Sequence, residues 1–86
     1  MADYKIQLKR SAAREIDAID SMEDRQRIVD RIGRLAVIPR PPGCQKLAGS
    51  NTYRVRQGRF RIIYVIEDVR LIVTVVKVAQ RKDAYR

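Results

Sequence analysis

Residues 53–61 read Tyr-Arg-Val-Arg-Gln-Gly-Arg-Phe-Arg, cationic and apolar side chains alternating around Gln57-Gly58. Successive side chains of a strand point to opposite faces, so Arg54 and Arg56 share one face. A two- or four-residue turn pairs odd positions with even ones, which sends Arg61 to the same side. Tyr53, Val55, Phe60, Ile62 and Tyr64 then share the other. The segment demands an antiparallel hairpin with one face to bury and one cationic face. A phosphate group is the anion best matched to paired arginine donors.

The rest of the chain supplies something to cover the apolar face. Tyr4-Lys5-Ile6-Gln7-Leu8 alternates as a short first strand. Ser11 can cap a helix whose Ala12, Ile16 and Ile19 form one stripe. Ser21 with Asp24 resembles a capping box opening a second helix, with Ile28, Ile32, Leu35 and Ala36 in helical register as far as Pro39. Pro39-Arg40-Pro41-Pro42-Gly43 is a rigid connector that fits neither helix nor central strand. Strand-like runs follow at 52–57, 60–66 and 71–79. The last is apolar on both parities, as a central strand covered on both sides would be.

This order predicts an α+β domain: an N-terminal strand and a helical hairpin packed on one face of a small, mainly antiparallel, four-stranded sheet. Two helices cover one face only, leaving the other, with its arginines, open.

Eighty-six residues make a single domain, 1–86. Of the formal charge of +9, little lies in the first part: residues 1–39 carry 8 Lys/Arg against 7 Asp/Glu, and residues 40–86 carry 11 against 3. A surface so biased attracts nucleic acid, an acidic protein or an anionic membrane. No run approaches the roughly 20 apolar residues of a membrane span. The N-terminus has no signal-peptide core, and the single Cys44 cannot form an internal disulfide. A cytoplasmic protein without a membrane role is expected.

From about residue 45 onward the chain resembles a toxin of the RelE/ParE superfamily. The resemblance is carried by Lys46-Leu47-Ala48-Gly49, Tyr53-Arg54-Val55-Arg56, Gly58-Arg59-Phe60-Arg61-Ile62-Ile63-Tyr64 and Val76-Lys77-Val78-Ala79-Gln80-Arg81-Lys82-Asp83-Ala84-Tyr85-Arg86. It implies the RelE-like microbial-ribonuclease fold and, for RelE-type members, cleavage of messenger RNA in the ribosomal A site by metal-independent 2′-hydroxyl attack. It also implies a RelB-like antitoxin as partner, the ribosome and mRNA as targets, operator DNA reached through the antitoxin, and no cofactor. By the same resemblance Arg54 and Arg56 contact RNA beside the scissile phosphate and Arg61 binds that phosphate. Arg81 stabilises transition-state charge or the leaving group, and Tyr85 stacks on a base or orients the 2′-hydroxyl. Lys46 and Arg59 are further candidate substrate-binding residues, and Arg59, beside the turn, is expected to be a surface charge or peripheral phosphate contact. ParE-type members share the fold, act on DNA gyrase and generally lack this catalytic set.

The chemistry limits these roles. Arginine stays protonated near neutral pH, so it stabilises a phosphorane and accepts no proton. The sequence contains no histidine. Gln80 stands where many relatives have histidine or lysine. Tyr85 is the leading candidate for proton transfer, ahead of Lys46, Lys77 and Lys82. A gyrase-inhibiting toxin and a non-catalytic RNA-binding module are the alternative readings.

Overall fold

The computed structural model describes residues 3–47 and 49–80. Its elements are β1 (Lys5–Leu8), α1 (Arg10–Asp17), α2 (Met22–Arg34), β2 (Gln45–Lys46), β3 (Thr52–Gln57), β4 (Phe60–Glu67) and β5 (Ile72–Gln80). They form one sheet in the order β1-β5-β4-β3-β2, with β1 parallel to β5 and the other pairs antiparallel. The sheet has five strands where four were expected. The additional one, β2, has two residues, too few for a period-2 signal, and follows directly on the proline-rich connector.

The hairpin closes as its pattern requires. Gln57 pairs with Phe60, leaving Gly58 and Arg59 as a two-residue loop. Gly58 has φ 60° at the first loop position, where a type II′ turn favours glycine. The register then places Val55 opposite Ile62 and Tyr53 opposite Tyr64 on the packing face.

The helices differ from expectation at their ends. Lys9, not Ser11, is the N-cap of α1 and gives no side-chain cap. The Lys9 N–H donates to Val75 O at 2.9 Å, so the residue is held extended by the β1–β5 ladder until helix begins at Arg10. Ser21 does cap α2, its Oγ accepting the Asp24 N–H at 3.2 Å. This helix stops at Arg34 instead of running to Pro39. The chain unwinds through tighter bonds such as Leu35 N–H to Ile32 O, because β-branched Val37 and Ile38 lead into a proline that disfavours helix before it.

Ala12, Ile16 and Ile19 of the first helical stretch and Ile28, Ile32 and Leu35 of the second pack on Tyr53, Val55, Phe60, Ile62, Tyr64 and Ile66 of the sheet. Val73, Val75 and Val78 of β5 complete this core. Their spacing is not a constant two. Ile63 pairs with Lys77 but Tyr64 pairs with Val75, so Val76 is passed over in a β-bulge. The bulge changes which parity of β5 faces the helices. Residues 73 and 75 point inward before it and residue 78 after it. The run that is apolar on both parities thus arises from a bulge as much as from two-sided burial.

Candidate functional site

On the sheet face away from the helices, register brings together Arg54, Arg56 and Arg61. Arg56 lies directly opposite Arg61, and Arg54 opposite Ile63. Like charges facing one another across an antiparallel pair are destabilising, so this arrangement opposes the sheet's own stability. Among the described residues no ion pair engages Arg54, Arg56 or Arg59. Arg54 donates to the amide oxygen of Gln45, its partner on the edge strand β2.

A depression of about 600 Å³ opens beside this face. Its lining includes Arg54, Arg59, Arg61 and Lys77 together with Glu15 and Asp24 from the helical hairpin. Arg59 sits in the exposed hairpin loop and reaches the depression from its end. Lys46 does not join the arginines. It pairs with Tyr53, which places it on the parity of the packing face. A two-residue strand carries no pattern from which that parity could be read. Arg81 and Tyr85 lie outside the described residues.

Sequence offers Lys77 only as a lesser candidate for proton transfer, and Glu15 only as one of the charges on the exposed side of a helix. The Lys77 ammonium meets Glu15 Oε2 at 2.9 Å, and the Val78 N–H donates to Glu15 Oε1 at 2.9 Å. A lone lysine inside the apolar run 71–78 was the available signal. Among the described residues no three His, Cys, Asp or Glu side chains are grouped to hold a metal ion, and no helix is long and apolar enough to cross a membrane.

A second polar cluster lies in the connector and the β4–β5 turn. Arg40 Nε donates to Tyr53 Oη at 3.0 Å, with the guanidinium carbon 5.0 Å from the Tyr53 ring centre. Its terminal nitrogens grip both Asp68 oxygens, at 3.2 and 2.8 Å, and Tyr4 Oη donates to Asp68 at 2.6 Å. These donors pull the Asp68 carboxyl down to about 2, Arg40 contributing first and Tyr4 second. The same contacts raise Tyr4, chiefly through its hydrogen bond to Asp68. Tyr64, fully buried, donates to Pro39 O at 2.8 Å, and burial pushes its hydroxyl well above the ordinary tyrosine value.

A family model describing the ParE toxin of type II toxin–antitoxin systems, parDE, matches residues 6–85. The chain belongs to this family. Solved structures similar to the toxin share its fold. A RelE–RelB complex from the archaeon Pyrococcus horikoshii matches at 20% identity and TM-score 0.83, covering 92% of this chain and 96% of that one. A RelBE toxin–antitoxin complex from Mycobacterium tuberculosis matches at 22% identity and TM-score 0.80, covering 92% and 99%. A mutant of the Escherichia coli toxin RelE in the free state matches at 19% identity and TM-score 0.78, covering 99% and 90%. No curated protein sequence matches. These structures bear out the α+β fold with a helical hairpin on one face of the sheet. The toxin is thus a member of a type II toxin–antitoxin system, as the family and the resemblance at Arg54–Tyr64 both have it.

Proposed function

We propose that the toxin is a ribosome-dependent endoribonuclease that cuts messenger RNA in the A site without a metal ion. The observation that supports this best is Arg56 facing Arg61 across β3 and β4, with Arg54 on the same open face. Three guanidinium groups held against their mutual repulsion suit a group of high negative charge density, such as a phosphorane. In the proposed reaction a ribose 2′-hydroxyl loses its proton to a base and its oxygen bonds to the adjacent phosphorus. The bond from phosphorus to the 5′-oxygen breaks, and that oxygen takes up a proton. Arg61 and Arg56 stabilise the developing charge, Arg54 holds the neighbouring backbone, and Arg59 gives a peripheral contact. Arg81 is assigned the leaving-group side and Tyr85 the 2′-hydroxyl, both on motif position alone.

The proposed partner is a RelB-like antitoxin, because the similar toxins from Pyrococcus horikoshii and Mycobacterium tuberculosis were solved as toxin–antitoxin complexes. Operator DNA is then reached through the antitoxin, and the site of action is the cytoplasm. Mapping messenger RNA 5′-ends after brief induction tests the reaction. Codon-phased cuts on translated messages are expected, and their absence in a growth-arrested culture overturns it. Arg61→Ala and Arg81→Ala should each abolish growth inhibition while antitoxin binding persists.

One observation favours a second reading. The matching family model is that of a ParE toxin, and inhibition of DNA gyrase would leave messenger RNA intact while trapping gyrase on DNA. The same induction experiment, probed for gyrase–DNA complexes, separates the two.

A further inference from the structure

β5 changes the side it shows to the helices half-way along, and the place where it does so is clamped from outside the sheet. Before the bulge, Val73 and Val75 point into the core, and beyond it Val78 does. Lys77, paired with Ile63, therefore emerges on the arginine face. An unbroken alternation from Val73 and Val75 would instead have turned Lys77 toward the helices. Lys77 is also diagonal to Arg61, which pairs with Ala79, and diagonal neighbours stand about 7–8 Å apart. Bulges commonly re-aim a side chain beside a site.

The clamp is Glu15. β1 pairs with β5 only from Ile72 to Val75, and the chain then leaves as α1. Among the described residues no strand pairs with the outer edge of β5 beyond that point. Glu15 on α1 reaches this edge, accepting the Val78 N–H with one oxygen and the Lys77 ammonium with the other. Its side chain is 30% exposed and that of Lys77 54%. An ammonium has three donors, so the pairing with Glu15 leaves two for another ligand.

We propose that Lys77 is a further phosphate ligand of the arginine face, delivered there by the bulge at Val76, and that Glu15 is its positioning residue. The ligand's identity rests on the RNA-cleaving reading; the clamp does not.

The full-length toxin carrying Glu15→Gln, Glu15→Ala or Lys77→Met separates these claims. Both Glu15 variants remove the same negative charge, which by electrostatics alone tightens RNA binding equally. Only glutamine retains an oxygen able to accept the Val78 N–H. Amide hydrogen exchange should therefore be at least about tenfold faster at Val78 in Glu15→Ala than in Glu15→Gln, reflecting the lost hydrogen bond. A 2′-O-methyl RNA oligonucleotide, which cannot be cut at the methylated sugars, should bind Glu15→Ala more weakly than Glu15→Gln. Equal exchange and equal binding in the two variants would overturn the positioning role. Lys77→Met should reduce the slope of log K against log salt by about 0.7, one single-strand phosphate contact, and an unchanged slope overturns the ligand assignment. If the parent toxin itself fails to bind the oligonucleotide, the RNA reading and the ligand assignment fall together. Val78 exchange then still decides the clamp.

Discussion

Arginines at two places in this fold are treated in opposite ways. Arg40, on the connector, has a tyrosine hydroxyl, an aromatic face and both oxygens of Asp68 as partners. Arg56 and Arg61 are set face to face by the hairpin register. The first guanidinium is matched within the chain and joins segments far apart in sequence. The other two are arranged where they repel, and the fold tolerates this because the Gly58-Arg59 loop and the apolar partners on the opposite face fix the register regardless. Arg40 ties the connector to the β4–β5 turn, whereas the hairpin register alone sets Arg56 opposite Arg61.

The sharpest way to break this comparison is to remove one arginine from each place. Arg61→Ala should reduce mRNA cleavage by about 10²–10³-fold, the loss usual for one charge-stabilising donor. The thermal midpoint of Arg56→Ala should stay near that of the parent, or rise as repulsion between Arg56 and Arg61 is relieved. Arg40→Ala should do the reverse. It loses both contacts to Asp68 and, with Tyr53, a hydrogen bond and a cation–π contact together worth about 1–2 kcal/mol, lowering the midpoint by several degrees with cleavage per folded molecule unchanged. Thermal melts beside primer-extension assays check both. A large loss of activity in Arg40→Ala with an unaltered midpoint would erase the distinction.

The two places were unequally legible in the sequence. Arg54, Arg56 and Arg61 could be put on one face because strand parity is strict and Gly58 fixes the turn. Lys46 could not, since its face depends on pairing with Tyr53 and β2 is too short to show a pattern. The face taken by Lys77 was hidden by the bulge, for a skipped residue imitates a strand buried on both sides. Arg40 looked like part of a rigid linker because its partners lie 13 and 28 residues further along. Ser11 was a plausible cap by composition, but the β1–β5 ladder holds Lys9 extended and fixes the helix start one residue before it. Local pattern revealed what depends on alternation, and tertiary pairing decided the rest.

The connector carries a smaller effect. Tyr64→Phe removes the hydroxyl that donates to Pro39 O within the core. The ring can stay in place while the carbonyl loses its partner, so the variant should be about 1 kcal/mol less stable by urea unfolding. The parent should show one tyrosine ionising later than the others in an ultraviolet alkaline titration, and the variant should lack it.

The smallest effect concerns pH. Asp68 falls from an ordinary 3.8 to about 2 in the folded chain because Arg40 and Tyr4 favour its ionised form. A depressed folded value means the unfolded chain binds the proton more readily. The contribution is fully present above about pH 4 and is lost as pH falls through 4 toward 2. Tyr4 has the opposite sign: its proton is held more tightly when folded, so its contribution persists below pH 10 and is lost as pH rises beyond it. Asp68→Asn should therefore unfold at lower urea than the parent at pH 7, and the two midpoints should converge as the pH approaches 2. Arg56→Ala, made on the open face, should give a difference from the parent that does not narrow over that acid range, because no ion pair engages Arg56 among the described residues. Parallel midpoints for Asp68→Asn and the parent across pH 2–4 would show that Arg40 is no better matched than Arg56.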